Sequence, residues 1–309
     1  MPTTYISQAG VVRVASERDR DWRAHCAPAA VKVTIYQLRS HLRSRTICDA
    51  MHQGLLTHGE YVVRKYEDEY RGLEDGYAVF YGYDGLLPQV MRDYAAVGRA
   101  AYIDLGYWQR LSGGKLAGYH KIVWNGRHPE KYWRKNYPTD RLDALGVKIS
   151  DWQPSGRHIV LAGMGDKAAA VYGLAVEAWE RAIIQEIRRH TTRPIVYRPK
   201  PSWKQARPID SVDYAAPAVP IENVLTGAHC VVTHHSNVAV DALVAGVPAF
   251  TWHGVAREMA LQDLTQIEKP IRPENRQQWA ADVAYLQWTV DEMAAGAPWA
   301  HFRAEGLVR

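Results

Sequence analysis

The chain has 309 residues, 47% hydrophobic and 23% charged, a globular balance that excludes wholesale disorder and leaves room for two domains of about 150 residues each. Lys and Arg outnumber Asp and Glu by 38 to 33, and the isoelectric point is near 9.0; this basic excess suits a polyanionic partner and equally a plain solvated surface. Three scattered cysteines, Cys26, Cys48 and Cys230, exclude a CxxC zinc site or a disulfide framework and fit a reducing compartment.

No apolar run approaches the roughly 18 residues of a membrane span, and the opening segment has no basic stretch leading into an apolar one. The expectation is a cytoplasmic protein without a membrane span, in the host cytoplasm if phage-encoded. Aromatic usage is skewed, with 11 Trp and 18 Tyr against 3 Phe. Aromatics with a polar tip suit clefts and platforms for sugars or bases.

In chain order, residues 31–36 (VKVTIY) alternate as a strand. A basic cluster of Arg39, His41, Arg43 and Arg45 follows. Residues 76–82 (GYAVFYG) read as a buried parallel strand, residues 86–97 as a helix and residues 100–105 (AAYIDL) as the next strand, which makes a βαβ unit. Residues 119–124 (YHKIVW) are another strand. The Pro-, Asn- and Trp-rich stretch 126–151 is read as the connection between domains, so that 1–150 and 151–309 are the two units.

The second half repeats the alternation. A strand at 158–162 runs into the turn Gly163–Met164–Gly165, followed by a helix over 168–190 and a strand at 194–198. A Pro-containing loop with a second basic cluster follows (Arg193, Arg198, Lys200, Lys204, Arg207). Then come a short helix at 221–225, a strand at 228–233, a helix at 236–245, a strand at 247–251 and a last helix over 274–295. Strands alternating with helices imply parallel sheets, and two such sets imply two Rossmann-like domains facing a cleft.

Ligands of such sheets bind beyond the carboxyl ends of the strands. Three strand ends in the second half carry suitable residues. The segment 231–250 (VVTHHSNVAVDALVAGVPAF) delivers His234, Ser236 and Asn237 to the start of a helix and places Asp241 in its second turn. Gly163, Gly165 and Lys167 make a second candidate phosphate cradle, without Walker A or GxGxxG spacing. Arg198 and Lys200 make a third. Each also has a plain structural explanation: a helix cap, a tight connection or a solvated turn. No His, Cys and carboxylate cluster has metal-ligand spacing, so no metal site is assigned.

The 231–250 segment resembles the donor-binding motif of GT-B glycosyltransferases, above all the capsule-polysaccharide-type and phage-encoded (DNA-modifying) members. Those carry His-x-Ser, a small-residue helix with an acidic residue, and Ala-Gly-x-Pro. The resemblance implies a GT-B α/β fold and a nucleotide-sugar donor, with a UDP-sugar such as UDP-glucose as the leading candidate. It implies that Ser236 and the helix start hold the diphosphate, together with His234 and Asn237, and that Asp241 contacts the ribose. Asp stands where Glu is commoner. No cofactor is required, and a divalent metal is optional because Lys167, Arg198 and Lys200 supply positive charge.

In the first half, Asp84 ends a strand facing the cleft and is the candidate general base; it is equally placed to cap the following helix. Asp104 is the alternative, with His120 and His128 behind it. The acceptor is either a hydroxymethylated pyrimidine such as 5-hydroxymethylcytosine in bacteriophage DNA, favoured by the basic clusters and surplus aromatics, or a surface glycan. A non-catalytic nucleic-acid-binding protein remains open at this point.

Overall fold

The computed structural model describes residues 4–6, 12–14, 29–114, 116–129 and 135–309. Cys26 and most of the N-terminal segment searched for a secretory signal lie outside the described residues. Strands β1 (Thr4–Ile6) and β2 (Val12–Val14) form a small antiparallel pair. Everything else is built on two sheets.

The first sheet contains β3 (Lys32–Gln37), β4 (Tyr61–Tyr66), β5 (Tyr77–Tyr81), β6 (Ala100–Leu105) and β7 (His120–Trp124), in the order β7-β6-β5-β3-β4. The strands β3 to β6 are mutually parallel, and β7 is antiparallel to β6. Its helices are α1 (Leu42–Thr57) and α2 (Leu87–Ala96). Apolar residues alternate between its faces: Val33, Ile35, Val79 and Ile103 pack under α1, and Tyr36, Phe80 and Tyr102 pack under α2. The sequence reading identified neither α1 nor β4. The second is an edge strand whose Arg64 and Lys65 reach Asp49 and Glu74 instead of the core, so its hydrophobic signal is weak.

Helix α3 (Asp140–Ala144) lies in the connecting stretch, which is a packed junction: Leu142 and Leu145 join Tyr107, Trp108, Leu243 and Trp279 in one cluster.

The second sheet holds β8 (His158–Ala162), β9 (Ile195–Arg198), β10 (Asp213–Tyr214), β11 (Ala228–Thr233) and β12 (Ala249–Thr251), all parallel, in the order β10-β9-β8-β11-β12. This is the doubly wound order, with its switch point between β8 and β11. The connecting helices are α4 (Asp166–Val171), α5 (Ala178–His190), α6 (Ile221–Leu225) and α7 (Val238–Val244). The single helix expected over 168–190 is therefore two. The break holds Gly173 at φ 67° and Glu177 at φ 62°, a left-handed region that a continuous helix does not admit.

The helix expected over 274–295 is also broken. Helix α8 (Arg276–Ala284) ends, and β13 (Gln287–Trp288) adds antiparallel to β7 at the edge of the first sheet. A Thr289/Glu292 capping box then starts α9 (Val290–Ala294), followed by α10 (Ala297–Ala304). The apolar spacing ran through the break and hid it. The C-terminal segment thus returns to the first unit, so residue 150 is not a clean partition. Trp299 and Phe302 enter the core beneath α1, and Gly54 lies so close to Met293 that an added Cβ would stand 2.0 Å from its carbonyl oxygen. Buried Glu60 ties this return together, accepting from Val31 N, Trp299 Nε1 and Arg303 Nε at 2.7, 2.7 and 2.8 Å.

The two sheets turn their strand ends toward each other: Asp84 meets Lys167, Arg110 meets Asp241, and Asn237 donates to the Gly106 carbonyl. Two Rossmann-like units facing a cleft, with a C-terminal segment that crosses back, is the GT-B arrangement. No helix among the described residues is long and apolar enough to cross a membrane. Cys48 and Cys230 are buried free thiols.

Candidate active site in the interdomain cleft

The cleft floor is set by the switch point of the second sheet. There β8 ends in Gly163–Gly165 and β11 ends in His234–Asn237. Gly165 adopts φ 81°, a conformation that lets the chain turn sharply into α4, and a Cβ there would stand 3.3 Å from Lys200 Cδ. Part of this turn is already engaged: Met164 N donates to the carboxylate of buried Glu180 at 2.8 Å. The Ser236 hydroxyl accepts from Val238 N at 3.2 Å, while Thr233 accepts from Ser236 N. Asn237 spans to the first unit instead of capping its own helix.

The cations predicted to gather here take separate directions. Arg198 is buried, donates to the Val219 carbonyl at 3.1 Å, and keeps its Nε without a partner. Burial lowers its pKa against the pull of Asp241 and Glu222. Lys200 is exposed beside Gly165. Lys167 reaches across the cleft to Asp84, at 3.0 Å, with both side chains exposed. Lys167, Arg198 and Ser236 thus engage Asp84, the Val219 carbonyl and Val238 N respectively.

Asp241 lies on α7 behind Asn237. Both of its carboxylate oxygens are 3.4 Å from Arg110 Nη2 of the first unit. Burial pushes its pKa up to about 6 although Arg110 pulls the other way. It lines a cavity of about 390 Å³ with Trp108, Lys148, Gln153, Glu222 and Thr226. An aromatic wall with two carboxylates suits a ring system carrying hydroxyl or amino donors.

The other half of the cleft is aromatic and basic. Asn125, at φ 54°, and Gly126 reverse the chain after β7 and bring Arg127 and His128 back toward the strand ends. The Arg127 guanidinium lies over Tyr83 of the first unit at 4.8 Å and over Tyr172 of the second at 5.8 Å. Its Nε and Nη1 are buried with no hydrogen-bond partner, as is Nε2 of His128. Lys121 is 5% exposed and donates to the Arg127 carbonyl. His128 stacks on His253, and His235 and His234 complete the group, their Nδ1 atoms 2.9 Å apart. Burial pushes His234 down to about 4 and His235 to about 2, and drives His128 well below the ordinary range. Burial also lowers the pKa of the Lys121 ammonium, with Asp104 pulling the other way.

Asp104 accepts from Tyr102 Oη at 3.0 Å and Leu105 N at 2.8 Å, and it faces Lys121 across the β6–β7 register. His120 is fully buried against Tyr81, and burial pushes it down to about 4. The described residues contain no group of three or more His, Cys, Asp or Glu able to hold a metal ion.

The sequence reading did not single out Lys121, Arg127, His253, Arg110 or Glu222. One signal could have found the second: a strand followed at once by Asn-Gly-Arg-His. Arg110 and His253 gain their partners Asp241 and His128 only through the contact between the two units.

Several members of the two basic clusters are engaged within the protein. Arg39 makes a two-pronged pair with Asp68, and Arg43 donates to Tyr81 Oη. Arg193 is held by Glu268 and Ser155, while Arg207 donates to main-chain carbonyls.

Fold and site together describe a two-domain α/β protein of GT-B architecture, with the switch point of the second sheet facing the cleft. No protein-family model and no curated protein sequence matches the chain. Similar solved structures include glycosyltransferases. Thermosulfurimonas dismutans KpsC, β-Kdo 2,4-transferase, is 12% identical, with 87% of this chain and 100% of that chain covered and a TM-score of 0.49. The β-Kdo 2,7-transferase of the same KpsC gives 12% identity, 88% and 99% coverage and a TM-score of 0.48. The glycosyltransferase SnogD from Streptomyces nogalater gives 12% identity, 89% and 100% coverage and a TM-score of 0.29.

Proposed function

We propose that the protein is a nucleotide-sugar-dependent glycosyltransferase. The observation that carries this reading is the cavity lined by Asp241 and Glu222 of the second unit and Trp108 of the first. A nucleoside would occupy it, with ribose hydroxyls donating to Asp241 and the ring system against Trp108. The donor phosphates would lie toward Ser236 and the Gly163–Gly165 turn, within the field of Lys200 and Arg198. These cations supply the neutralisation that a metal would otherwise give, so neither cofactor nor metal is required. His234 and Asn237 shape the floor.

Asp84 is the proposed base. It takes the proton from the acceptor hydroxyl as that oxygen attacks the anomeric carbon and the nucleotide departs. Its pairing with Lys167 holds the carboxylate at the cleft. Asp104, already accepting two hydrogen bonds, is the less available alternative.

For the acceptor, a surface glycan fits better than hydroxymethylated DNA. Arg39, Arg193 and Arg207, which would hold DNA phosphates, are engaged by Asp68, Glu268 and main-chain oxygens. The test is incubation with labelled UDP-, CMP- and GDP-sugars against oligosaccharides and hydroxymethylated duplex DNA, scored by mass spectrometry. Transfer to an oligosaccharide supports the reading. Transfer to DNA alone reverses the acceptor assignment, and no transfer with no nucleotide binding removes the enzyme assignment.

A further inference from the structure

The cavity beside Asp241 takes one wall, Trp108, from the first unit. The segment that carries Trp108 meets the second unit at two further points. The Gly106 carbonyl accepts from Asn237 Nδ2 at 3.2 Å, and Arg110 faces the Asp241 carboxylate at 3.4 Å. Residues 106–110 lie outside any helix or strand, with Gln109 left-handed at φ 48°. The shape of such a segment depends on what it is bonded to.

Gln287 of β13 makes that bond. Its side chain is fully buried, and its Oε1 accepts from two successive main-chain groups, Tyr107 N at 2.7 Å and Trp108 N at 3.1 Å. Two donors facing one atom fix which end of the amide is oxygen, since a turned amide would set its own NH2 against both. The Nε2 end has no hydrogen-bond partner, so the polar contribution of this amide lies in its acceptor. Gly106 permits the close approach: a Cβ there would stand 2.9 Å from Gln287 Oε1 and 2.7 Å from the Tyr119 carbonyl oxygen. Gln287 is itself anchored, because Arg141 donates to its carbonyl at 2.7 Å and pairs with Glu292 of the same C-terminal return.

We infer that Gln287 is a positioning residue for this cavity, holding Trp108 and the Gly106 carbonyl where Asp241 and Asn237 of the second unit meet them. It does not line the cavity itself. The inference rests on the reading of the cavity as the nucleoside site, and it adds that a strand of the C-terminal return sets the shape of that site.

Two readouts on the full chain decide it: titration calorimetry with uridine and UDP, and amide hydrogen exchange followed by NMR. Gln287→Leu keeps an apolar side chain of similar size and removes the acceptor. It should speed exchange at Tyr107 and Trp108 and weaken uridine and UDP by a common factor of about tenfold, as the loss of an acceptor for buried N–H groups implies. Gln287→Glu, which keeps an acceptor, should recover part of both. Glu292→Gln loosens the same return through Arg141 and the Thr289 capping box; it should lower the thermal midpoint and leave nucleotide affinity unchanged. Unchanged affinity in Gln287→Leu overturns the proposal, as does a loss confined to UDP or an equal loss in Glu292→Gln. Should Gln287→Leu not fold, the wild type decides. Exchange at Tyr107 and Trp108 requires their bonds to Gln287 to open, so saturating UDP should slow it if those bonds and binding are coupled; no slowing overturns the proposal. A wild type that binds neither uridine nor UDP defeats the donor reading instead, and exchange at the two amides in the Gln287 variants still decides whether this residue holds the wall.

Discussion

The Asp84 carboxylate and the Lys167 ammonium meet across the cleft at 3.0 Å, one from each Rossmann-like unit. Both side chains are largely exposed, so the pair adds little to stability, within about 1 kcal/mol. Its consequence is positional, since it fixes the carboxylate between the two strand ends. Asp84→Asn should leave the thermal midpoint nearly unchanged while lowering turnover by about 100-fold or more, the ordinary contribution of a positioned base. If Asp104→Asn shows the large loss and Asp84→Asn does not, the base is Asp104.

Asp241 should control nucleotide affinity. Removing a charged acceptor from a ligand hydroxyl costs about 1.5–3 kcal/mol, so Asp241→Ala should weaken UDP binding by about tenfold or more. The wild-type affinity should also rise between pH 5 and 7, because the carboxyl, pushed up to about 6 by burial, loses its proton in that window and becomes the better acceptor. Titration calorimetry across that range is the check. A flat profile separates Asp241 from the ligand.

Stability should fall on the acid side. His120 and His234 are pushed down to about 4 by burial and His235 to about 2, from an ordinary 6.5. Below pH 6.5 the unfolded chain therefore takes up protons that the folded one refuses, and each such group contributes a slope of up to about 1.4 kcal/mol per pH unit. Asp241 acts oppositely between its unfolded value of 3.8 and about 6, but three imidazoles outweigh one carboxyl. The thermal midpoint should drop steadily from pH 7 to 4.5; a constant or rising midpoint contradicts the burial of these rings.

Glu60 should be among the costliest surface-remote substitutions. Its carboxylate serves Val31 N, Trp299 Nε1 and Arg303, and removing it strands a largely buried guanidinium. Glu60→Ala should destabilise by about 3–5 kcal/mol, the usual cost of breaking a buried pair from one side. Denaturant unfolding measures it, and a loss below 1 kcal/mol would show that the C-terminal return is held by apolar packing alone.

The alternating architecture was legible because buried parallel strands such as 76–82 and 228–233 are short apolar runs bounded by turns. The strand ends were legible for the same reason: Asp84 and Ser236 follow β5 and β11, and Asp241 lies on the helix after β11. The β13 return was not, since Trp279, Val283, Leu286 and Val290 keep helical spacing through a break made only by a two-residue strand. Nor was the cluster around Arg127 and His128: a positive-φ turn at Asn125 doubles the chain back and the second unit supplies Tyr172 and His235, and neither relation leaves a periodic signal. Arg198 stands on the expected strand end, while its bond to the Val219 carbonyl, on a segment 21 residues further on, leaves no sequence signal.

The most direct measurement is a crystal structure of the protein soaked with UDP or, should it bind more tightly, CMP. The nucleoside should occupy the cavity beside Trp108, with a ribose hydroxyl within hydrogen-bond distance of Asp241 and its phosphate facing Ser236 and Lys200. A nucleotide bound elsewhere, with that cavity holding only water, would contradict the account.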